Sequence, residues 1–139
     1  MDASGRWPGH GPAIITPNHT SLLDGPALAL LTPSPILFGV DPDYAEREPW
    51  RSILLTVGRL KGCTMVPMLP GTSRGLRDML RALRAGSWVC LFPEGGIATG
   101  RRHPGAQWLA DRTGAPIHVM RIWSAGPGKI RLPYRIQAG

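Results

Sequence analysis

The sequence is poor in cysteine and has no long apolar run. Cys63 and Cys90 are the only cysteines among 139 residues, too few for a disulfide framework or a zinc site. No stretch reaches the roughly 18 uninterrupted apolar residues that predict a transmembrane helix. Residues 1–11 lack the apolar core of a signal peptide. A reducing, cytoplasmic location is therefore expected, and any membrane binding is expected to be peripheral.

Lysine is also scarce, because Lys61 and Lys129 are the only two and arginine supplies the remaining positive charge. The net charge of +7 indicates an anionic partner: nucleic acid, an anionic membrane or a phosphorylated substrate. A genome biased toward arginine codons explains the same excess. No zinc-finger spacing and no RNA-binding aromatic motif is present, so a nucleic-acid partner is not expected. No cluster of His, Cys, Asp or Glu has metal-ligand spacing, and no metal is expected.

Short apolar segments alternate along the chain with segments of helical spacing. Strands are expected at residues 13–16, 35–40, 63–68, 88–92, 116–123 and 129–136. Helices are expected at residues 26–31, 48–57, 76–85 and 105–112. Residues 1–12 are expected to be irregular. The alternation predicts an α/β fold: a single domain over residues 1–139, with a mixed, mostly parallel sheet flanked by helices.

A histidine and an aspartate stand five positions apart after the first expected strand, in Asn18-His19-Thr20-Ser21-Leu22-Leu23-Asp24. Loops at the carboxyl ends of strands are where α/β sheets bind ligands. A carboxylate behind a histidine fixes its tautomer and stabilises the imidazolium that forms when it takes a proton, so the pair suits general-base catalysis. Because this spacing separates the two side chains on one helix, a loop followed by a helix is expected.

A glycine pair follows an acidic residue after the most apolar expected strand, in Phe92-Pro93-Glu94-Gly95-Gly96. Adjacent glycines let the backbone approach an anion closely, and their N–H groups can cradle a phosphate. A tight turn is the simpler interpretation of this segment taken alone.

Taken together, the two segments resemble the signature of the glycerophospholipid acyltransferase family, which includes lysophospholipid and glycerol-phosphate acyltransferases. That signature has an Asn-His-x4-Asp block followed by a Phe-Pro-Glu-Gly block, and His19 and Glu94 occur in that order with a matching separation. Further similarity lies in residues 11–15, 104–110 and 115–119. The resemblance extends over nearly the whole chain.

The resemblance implies an O-acyltransferase that moves a fatty acyl group from a thioester to the hydroxyl of a lysophospholipid or acylglycerol-phosphate. It implies that His19 is the general base and that Asp24 orients it. The expected substrate-binding residues are Asn18, Arg74, Pro93, Glu94, Gly95 and Gly96. The donor, acyl-CoA or acyl-carrier protein, is a substrate, and no bound cofactor is expected. The implied location is peripheral, on the inner face of the membrane.

The sequence departs from the family pattern at two places. Gly96-Ile97-Ala98 stands where most members have Thr-Arg-Ser, and Met68 stands where many have arginine. The two missing arginines weaken the case for a glycerol-phosphate or lysophosphatidic acid acceptor, and Arg74 is the first candidate to compensate. The pattern is more similar to the subgroup that reacylates lysophosphatidylethanolamine. The chain is also expected to lack the N-terminal anchor helices of many relatives.

Two alternatives remain. Gly71-Thr72-Ser73-Arg74-Gly75 fits the nucleophile elbow of a serine hydrolase or thioesterase. The triad partners would come from His103 or His118 with Asp78, Glu94 or Asp111. The second alternative is a non-catalytic module that binds anionic lipid through the arginines of the helix at 76–85 and Arg74. Loss of function on replacing Ser73, or no loss on replacing His19, would favour these alternatives.

Overall fold

A computed structural model of the chain describes residues 2–18, 24–68, 72–92, 105–124 and 134–138. Its strands are β1 (Asp2–Gly5), β2 (Ala13–Pro17), β3 (Ile36–Val40), β4 (Thr64–Pro67), β5 (Trp88–Cys90), β6 (Ile117–Ser124) and β7 (Tyr134–Ala138). Its helices are α1 (Asp24–Leu31), α2 (Pro42–Ala45), α3 (Trp50–Lys61), α4 (Arg74–Arg84) and α5 (Gly105–Thr113). The predicted fold class, a single α/β domain with a mixed, mostly parallel sheet, is confirmed.

The strands form one sheet in the order β1-β7-β6-β2-β5-β3-β4. The five neighbours from β6 to β4 are all parallel to one another. Strand β7 runs antiparallel to β6, and β1 is parallel to β7. The carboxyl ends of the five parallel strands therefore share one edge of the sheet, which we call the carboxyl edge.

Alternate residues of the strands enter two separate cores, one on each face of the sheet. Ala13 and Ile15 of β2 pack in the core that contains residues of α1 and α3. Ile14, between them, packs in the core that contains residues of α4 and α5. All five residues of β2 are buried. Since a strand covered on both faces is apolar throughout, this burial explains why β2 and β5 lack polar alternation.

The predicted strands and helices that lie within the described residues are confirmed, with ends shifted by a few positions. Of the strand expected at residues 129–136, positions 129–133 lie outside the described residues. The prediction that residues 1–12 are irregular is wrong, because residues 2–5 form β1 and pair with β7 at the other end of the chain. The short helix α2 was not predicted. A sequence such as Asp2–Gly5 has no apolar period, so its strand depends on a long-range pairing that local patterns do not reveal.

The N-terminal segment is also anchored by an aromatic pair. Trp7 stacks on Trp88 of β5 with ring centroids 6.4 Å apart, and the indole nitrogen of Trp88 donates to the Gly11 carbonyl at 3.1 Å. Two residues along β5, Cys90 is fully buried, and this burial raises the pKa of its thiol. Cys90 is therefore a protonated core residue.

Candidate functional site

The two sequence blocks that carry the predicted chemistry leave the sheet side by side. Strand β2 ends at Pro17 and is followed by Asn18, while β5 ends at Cys90 and is followed by Leu91 and Phe92. The strands are neighbours, with Ile15 opposite Cys90 and the Leu91 N–H donating to the Ile15 carbonyl at 2.9 Å. Neighbouring strands lie about 4.8 Å apart. The segments that begin with His19 and Pro93 therefore start close together at the carboxyl edge.

Five of the predicted site residues lie outside the described residues: His19, Pro93, Glu94, Gly95 and Gly96. Their roles stay predictions, and the structure locates only the ends of the strands from which they extend. The other three predicted site residues, Asn18, Asp24 and Arg74, are described.

Asn18 is half-buried and binds the backbone of β6 through its carboxamide. Its Nδ2 donates to the Ile122 carbonyl at 2.8 Å, and the Ile122 N–H donates to its Oδ1 at 2.5 Å. The Asn18 N–H also donates to the Met120 carbonyl at 3.3 Å. Three hydrogen bonds therefore fix the residue that immediately precedes His19.

Asp24 is the first residue of α1 and is 0% exposed. The helix returns from the carboxyl edge across the face of the sheet that it shares with α3. Pro26 occupies the first turn, where its missing N–H needs no helical partner, so the helix begins as predicted. A carboxylate at a helix N-terminus is stabilised by the helix dipole, which suits an anion held at this end of α1.

Arg74 is exposed at the start of α4 and also lies at the carboxyl edge. The next residue, Gly75, packs so closely on the end of β4 that a Cβ there would lie 2.9 Å from the Pro67 carbonyl oxygen. Strand β4 is separated from β2 by β3 and β5, a distance of about 14 Å at ordinary strand spacing. The structure therefore places Arg74 on the same edge as Asn18 but not beside it.

Met68 is partly buried and packs against the second core, next to Gly39 of β3 and Gly75 of α4. A Cβ added at Gly39 would lie 2.8 Å from its Cγ, and one added at Gly75 would overlap its sulfur. The Met68 N–H donates to the Val40 carbonyl at 2.9 Å. At this position, where many relatives have arginine, the side chain fills a gap in the core.

An apolar cavity of about 270 Å³ opens near the carboxyl ends of β3 and β4. Its walls come from these strands, from α2 and from α3. The lining residues are Val40, Pro42, Ala45, Glu46, Arg51, Leu54, Leu55, Met65 and Pro67. Sequence reasoning missed this cavity, since α2 has no helical period long enough to predict it.

The hydrolase alternative gains no support from the described residues. Ser73 is exposed at the N-cap of α4. His118 lies on β6, four strand positions from β4, which is about 19 Å at ordinary spacing. Asp78 faces Arg81 at 3.5 Å, and Asp111 accepts a hydrogen bond from Gln107 at 2.7 Å. Within the part of the chain that the structure describes, which does not include His103 or Glu94, no catalytic triad is assembled around Ser73.

Neither a metal site nor a membrane span is found in the described part of the chain. There, no three His, Cys, Asp or Glu side chains group in a way that would hold a metal ion. Among the same residues, every helix is too short or too polar to cross a bilayer.

A protein-family model described as Acyltransferase matches residues 4–123. The chain belongs to the acyltransferase family. The match contains both predicted blocks, from Asn18 to Asp24 and from Phe92 to Gly96. Family membership confirms the resemblance to the glycerophospholipid acyltransferases and assigns acyl transfer as the reaction class. An acyltransferase needs an acyl donor and an acceptor. In this acyltransferase, the strands that precede the two signature blocks, β2 and β5, end side by side at the carboxyl edge.

Proposed function

We propose that this acyltransferase moves a fatty acyl group from acyl-CoA or acyl-carrier protein to the hydroxyl of a lysophospholipid or acylglycerol-phosphate. The observation that carries the proposal is the adjacency of β2 and β5 at the carboxyl edge, with Asp24 buried at the start of α1. This arrangement starts the His19 and Glu94 segments from neighbouring strands. The predicted base and the predicted substrate-binding segment thereby extend from neighbouring strand ends.

His19 acts as the general base. Its unprotonated imidazole nitrogen takes the proton of the acceptor hydroxyl as that oxygen attacks the thioester carbonyl. The tetrahedral intermediate collapses by breaking the C–S bond, and the thiolate receives the proton from the imidazolium. Asp24 holds the second ring nitrogen, which fixes the tautomer and stabilises the positive charge. The position of Asp24, buried in the first turn of α1, supports this role because the start of the helix fixes where the carboxylate lies.

Pro93, Glu94, Gly95 and Gly96 bind the polar end of the acceptor near the base. The backbone N–H groups of Glu94, Gly95 and Gly96 suit a phosphate or phosphodiester oxygen. Arg74, at the same edge, is an additional contact for an acceptor head group that extends past β5 and β3.

The acceptor is a lysophospholipid with a substituted phosphate, such as lysophosphatidylethanolamine. Met68 fills the core where many relatives present arginine, and Ile97 replaces a second arginine. A phosphomonoester carries more charge than a phosphodiester and needs more cationic partners. The loss of two arginines therefore favours the phosphodiester.

The apolar cavity beside α2 and α3 supports an acceptor or donor with an alkyl chain. Its lining is mostly aliphatic, so the part of a chain that enters it is removed from water. The cavity opens at the same edge as the signature blocks. The enzyme meets its lipid at the inner face of the membrane, bound peripherally, and the exposed arginines of α4 favour an anionic surface.

A labelled acyl thioester, offered with a panel of lysophospholipids in vesicles, tests this function. Wild-type protein is expected to acylate lysophosphatidylethanolamine faster than lysophosphatidic acid, and His19→Ala to abolish both reactions. Ile97→Arg is expected to raise the use of lysophosphatidic acid. Arg74→Gln is expected to raise the KM for the acceptor, whereas Arg59→Gln, which replaces an exposed arginine in the last turn of α3, should leave it unchanged.

Several results would contradict the proposal. Transfer that survives His19→Ala would exclude the histidine as base. Vesicle binding without transfer by the wild type would favour the non-catalytic lipid-binding alternative. Equal use of both acceptors, unaffected by Ile97→Arg, would exclude the proposed selectivity while leaving the reaction class in place.

A further inference from the structure

The carboxamide of Asn18 forms a two-point contact with a strand residue 104 positions away in the chain. Nδ2 donates to the Ile122 carbonyl at 2.8 Å, and Oδ1 accepts from the Ile122 N–H at 2.5 Å. Rotating the amide by 180° would oppose two donors and two acceptors, so the pairing permits only one orientation.

These two bonds take the place of ladder bonds that a longer β2 would make. Pro17 is opposite Met120 in the parallel register, and the Asn18 N–H donates to the Met120 carbonyl. In a continued parallel ladder, the Ile122 N–H would bond to the main-chain carbonyl of residue 18, and the Ile122 carbonyl would accept from the N–H of residue 20. The carboxamide supplies one acceptor and one donor, and so replaces both.

We propose that Asn18 is a positioning residue that ends β2 at a fixed point and sets where His19 begins. Because the side chain satisfies Ile122, the main chain leaves the sheet at residue 18 without leaving β6 unpaired. Asp24, buried in the first turn of α1, fixes the other end of residues 19–23. The inference rests on the proposed function and replaces the substrate-binding role expected for Asn18.

A positioning role for Asn18 predicts an effect on kcat, whereas a substrate-binding role predicts an effect on KM. A misplacement of about 1 Å in a catalytic group costs about 10²-fold in rate. Loss of the Ile122 contact should therefore lower kcat and leave the KM values for donor and acceptor largely unchanged. A residue that binds substrate directly would show the opposite pattern.

The test combines kinetics with amide hydrogen exchange on ¹⁵N-labelled protein. Asn18→Ala removes both bonds, whereas Asn18→Asp keeps an acceptor for the Ile122 N–H and removes only the donor. We expect Asn18→Ala to lower kcat by about 10–100-fold, with faster exchange of the Ile122 amide, and Asn18→Asp to lower kcat while the Ile122 amide stays protected. Gln107→Ala, which removes an exposed carboxamide from α5, is the matched control and should change neither quantity.

The proposal is overturned if the Ile122 amide exchanges equally in wild type and Asn18→Ala, or if Asn18→Ala raises KM at constant kcat. It is also overturned if the melting temperature falls while kcat per folded molecule is unchanged, since Asn18 would then be only structural. If Asn18→Ala does not fold, the kcat of Asn18→Asp serves as the test, and an unchanged kcat overturns the proposal. The exchange measurement needs no substrate, so it tests the Asn18 contact independently of acyl transfer. Failure of the proposed acyl transfer is recognised separately, by a wild-type protein that shows no His19-dependent transfer.

Discussion

Helices α1 and α4 lie on opposite faces of one sheet and differ in what surrounds them. Five of the eight residues of α1 are buried, among them Asp24 and Leu28. Helix α4 buries only Gly75, Met79 and Leu83 and exposes its arginines. The apolar spacing of α4 is that of a surface helix, whereas α1 has apolar residues on nearly every side.

Because of this difference in burial, α1 and α4 are suited to different roles in the fold. Helix α1 packs against α3 and shares a core with α3 and the sheet, and its first residue, Asp24, is buried. It is therefore suited to hold a catalytic group in place. Helix α4 packs one side against the second core and exposes its arginines on the other side. Substitutions in α1 should affect chemistry and stability, and those on the exposed side of α4 should affect binding.

The largest expected effect is that of Asp24→Asn. The neutral amide cannot stabilise the imidazolium of His19, so we expect kcat to fall by about 10²–10⁴-fold with little change in KM. Acyl transfer measured at saturating substrate checks this result. Asp78→Asn, on α4, is the matched control, because it removes an exposed partner of Arg81 only. Comparable activity of Asp24→Asn and wild type would remove the distinction between the two helices.

The next effect concerns stability. Leu28 is 0% exposed in α1, and Leu28→Ala should lower the free energy of unfolding by about 2–5 kcal/mol, since it leaves a cavity. Arg77→Ala on the exposed side of α4 should change it by no more than about 0.5 kcal/mol. Urea denaturation of both variants measures the contrast. Similar losses would mean that α4 depends on its arginines for stability.

A smaller effect is expected on vesicle binding. Replacing Arg77, Arg81 and Arg84 together by Gln should weaken binding to anionic vesicles by about 1 kcal/mol per residue, since each arginine is exposed. Sedimentation with phosphatidylserine vesicles measures the change, and neutral vesicles provide the comparison. Binding that is unaffected would assign the membrane contact to another surface.

The smallest effects come from two helical glycines. Here α1 is expected to tolerate the substitution, whereas α4 is not. A Cβ at Gly25 in α1 meets nothing within 4 Å apart from its chain neighbours, and the gain in helix propensity is offset by the restriction that Pro26 places on the preceding residue. Gly25→Ala should therefore change the free energy of unfolding by no more than about 0.5 kcal/mol. At Gly75 in α4 the same methyl would overlap Met68 and approach the Pro67 carbonyl oxygen to 2.9 Å. Gly75→Ala should therefore destabilise by about 1–3 kcal/mol despite the gain in propensity. Thermal melting of both variants measures the two effects, and equal shifts in melting temperature would contradict the close packing described at Gly75.

The fold was largely accessible from the sequence because its determinants are local. The spacing of Leu76, Met79, Leu80 and Leu83 predicts α4, and the apolar run from residue 88 predicts β5. Strand β1 was missed because its residues acquire a strand conformation only by pairing with β7. Local periodicity contains no information about such a partner.

The candidate site was accessible only in part. The residue types and order of the two blocks predict a base and an anion-binding segment, and the parallel topology brings the strands that precede them side by side. The contact between Asn18 and Ile122 was not predictable, since nothing near position 18 indicates which strand will lie beside β2. A resemblance suggested substrate binding for Asn18, and only the strand order reveals a partner for its carboxamide.

The most direct test of the account compares acyl transfer by wild type, His19→Ala and Ser73→Ala under identical conditions. The same labelled thioester and lysophospholipid vesicles would be used for all three proteins. We expect His19→Ala to lose about 10²–10⁴-fold in rate and Ser73→Ala to stay within about twofold of wild type. Loss of turnover in Ser73→Ala with retention in His19→Ala would contradict the account and assign the chemistry to a serine nucleophile.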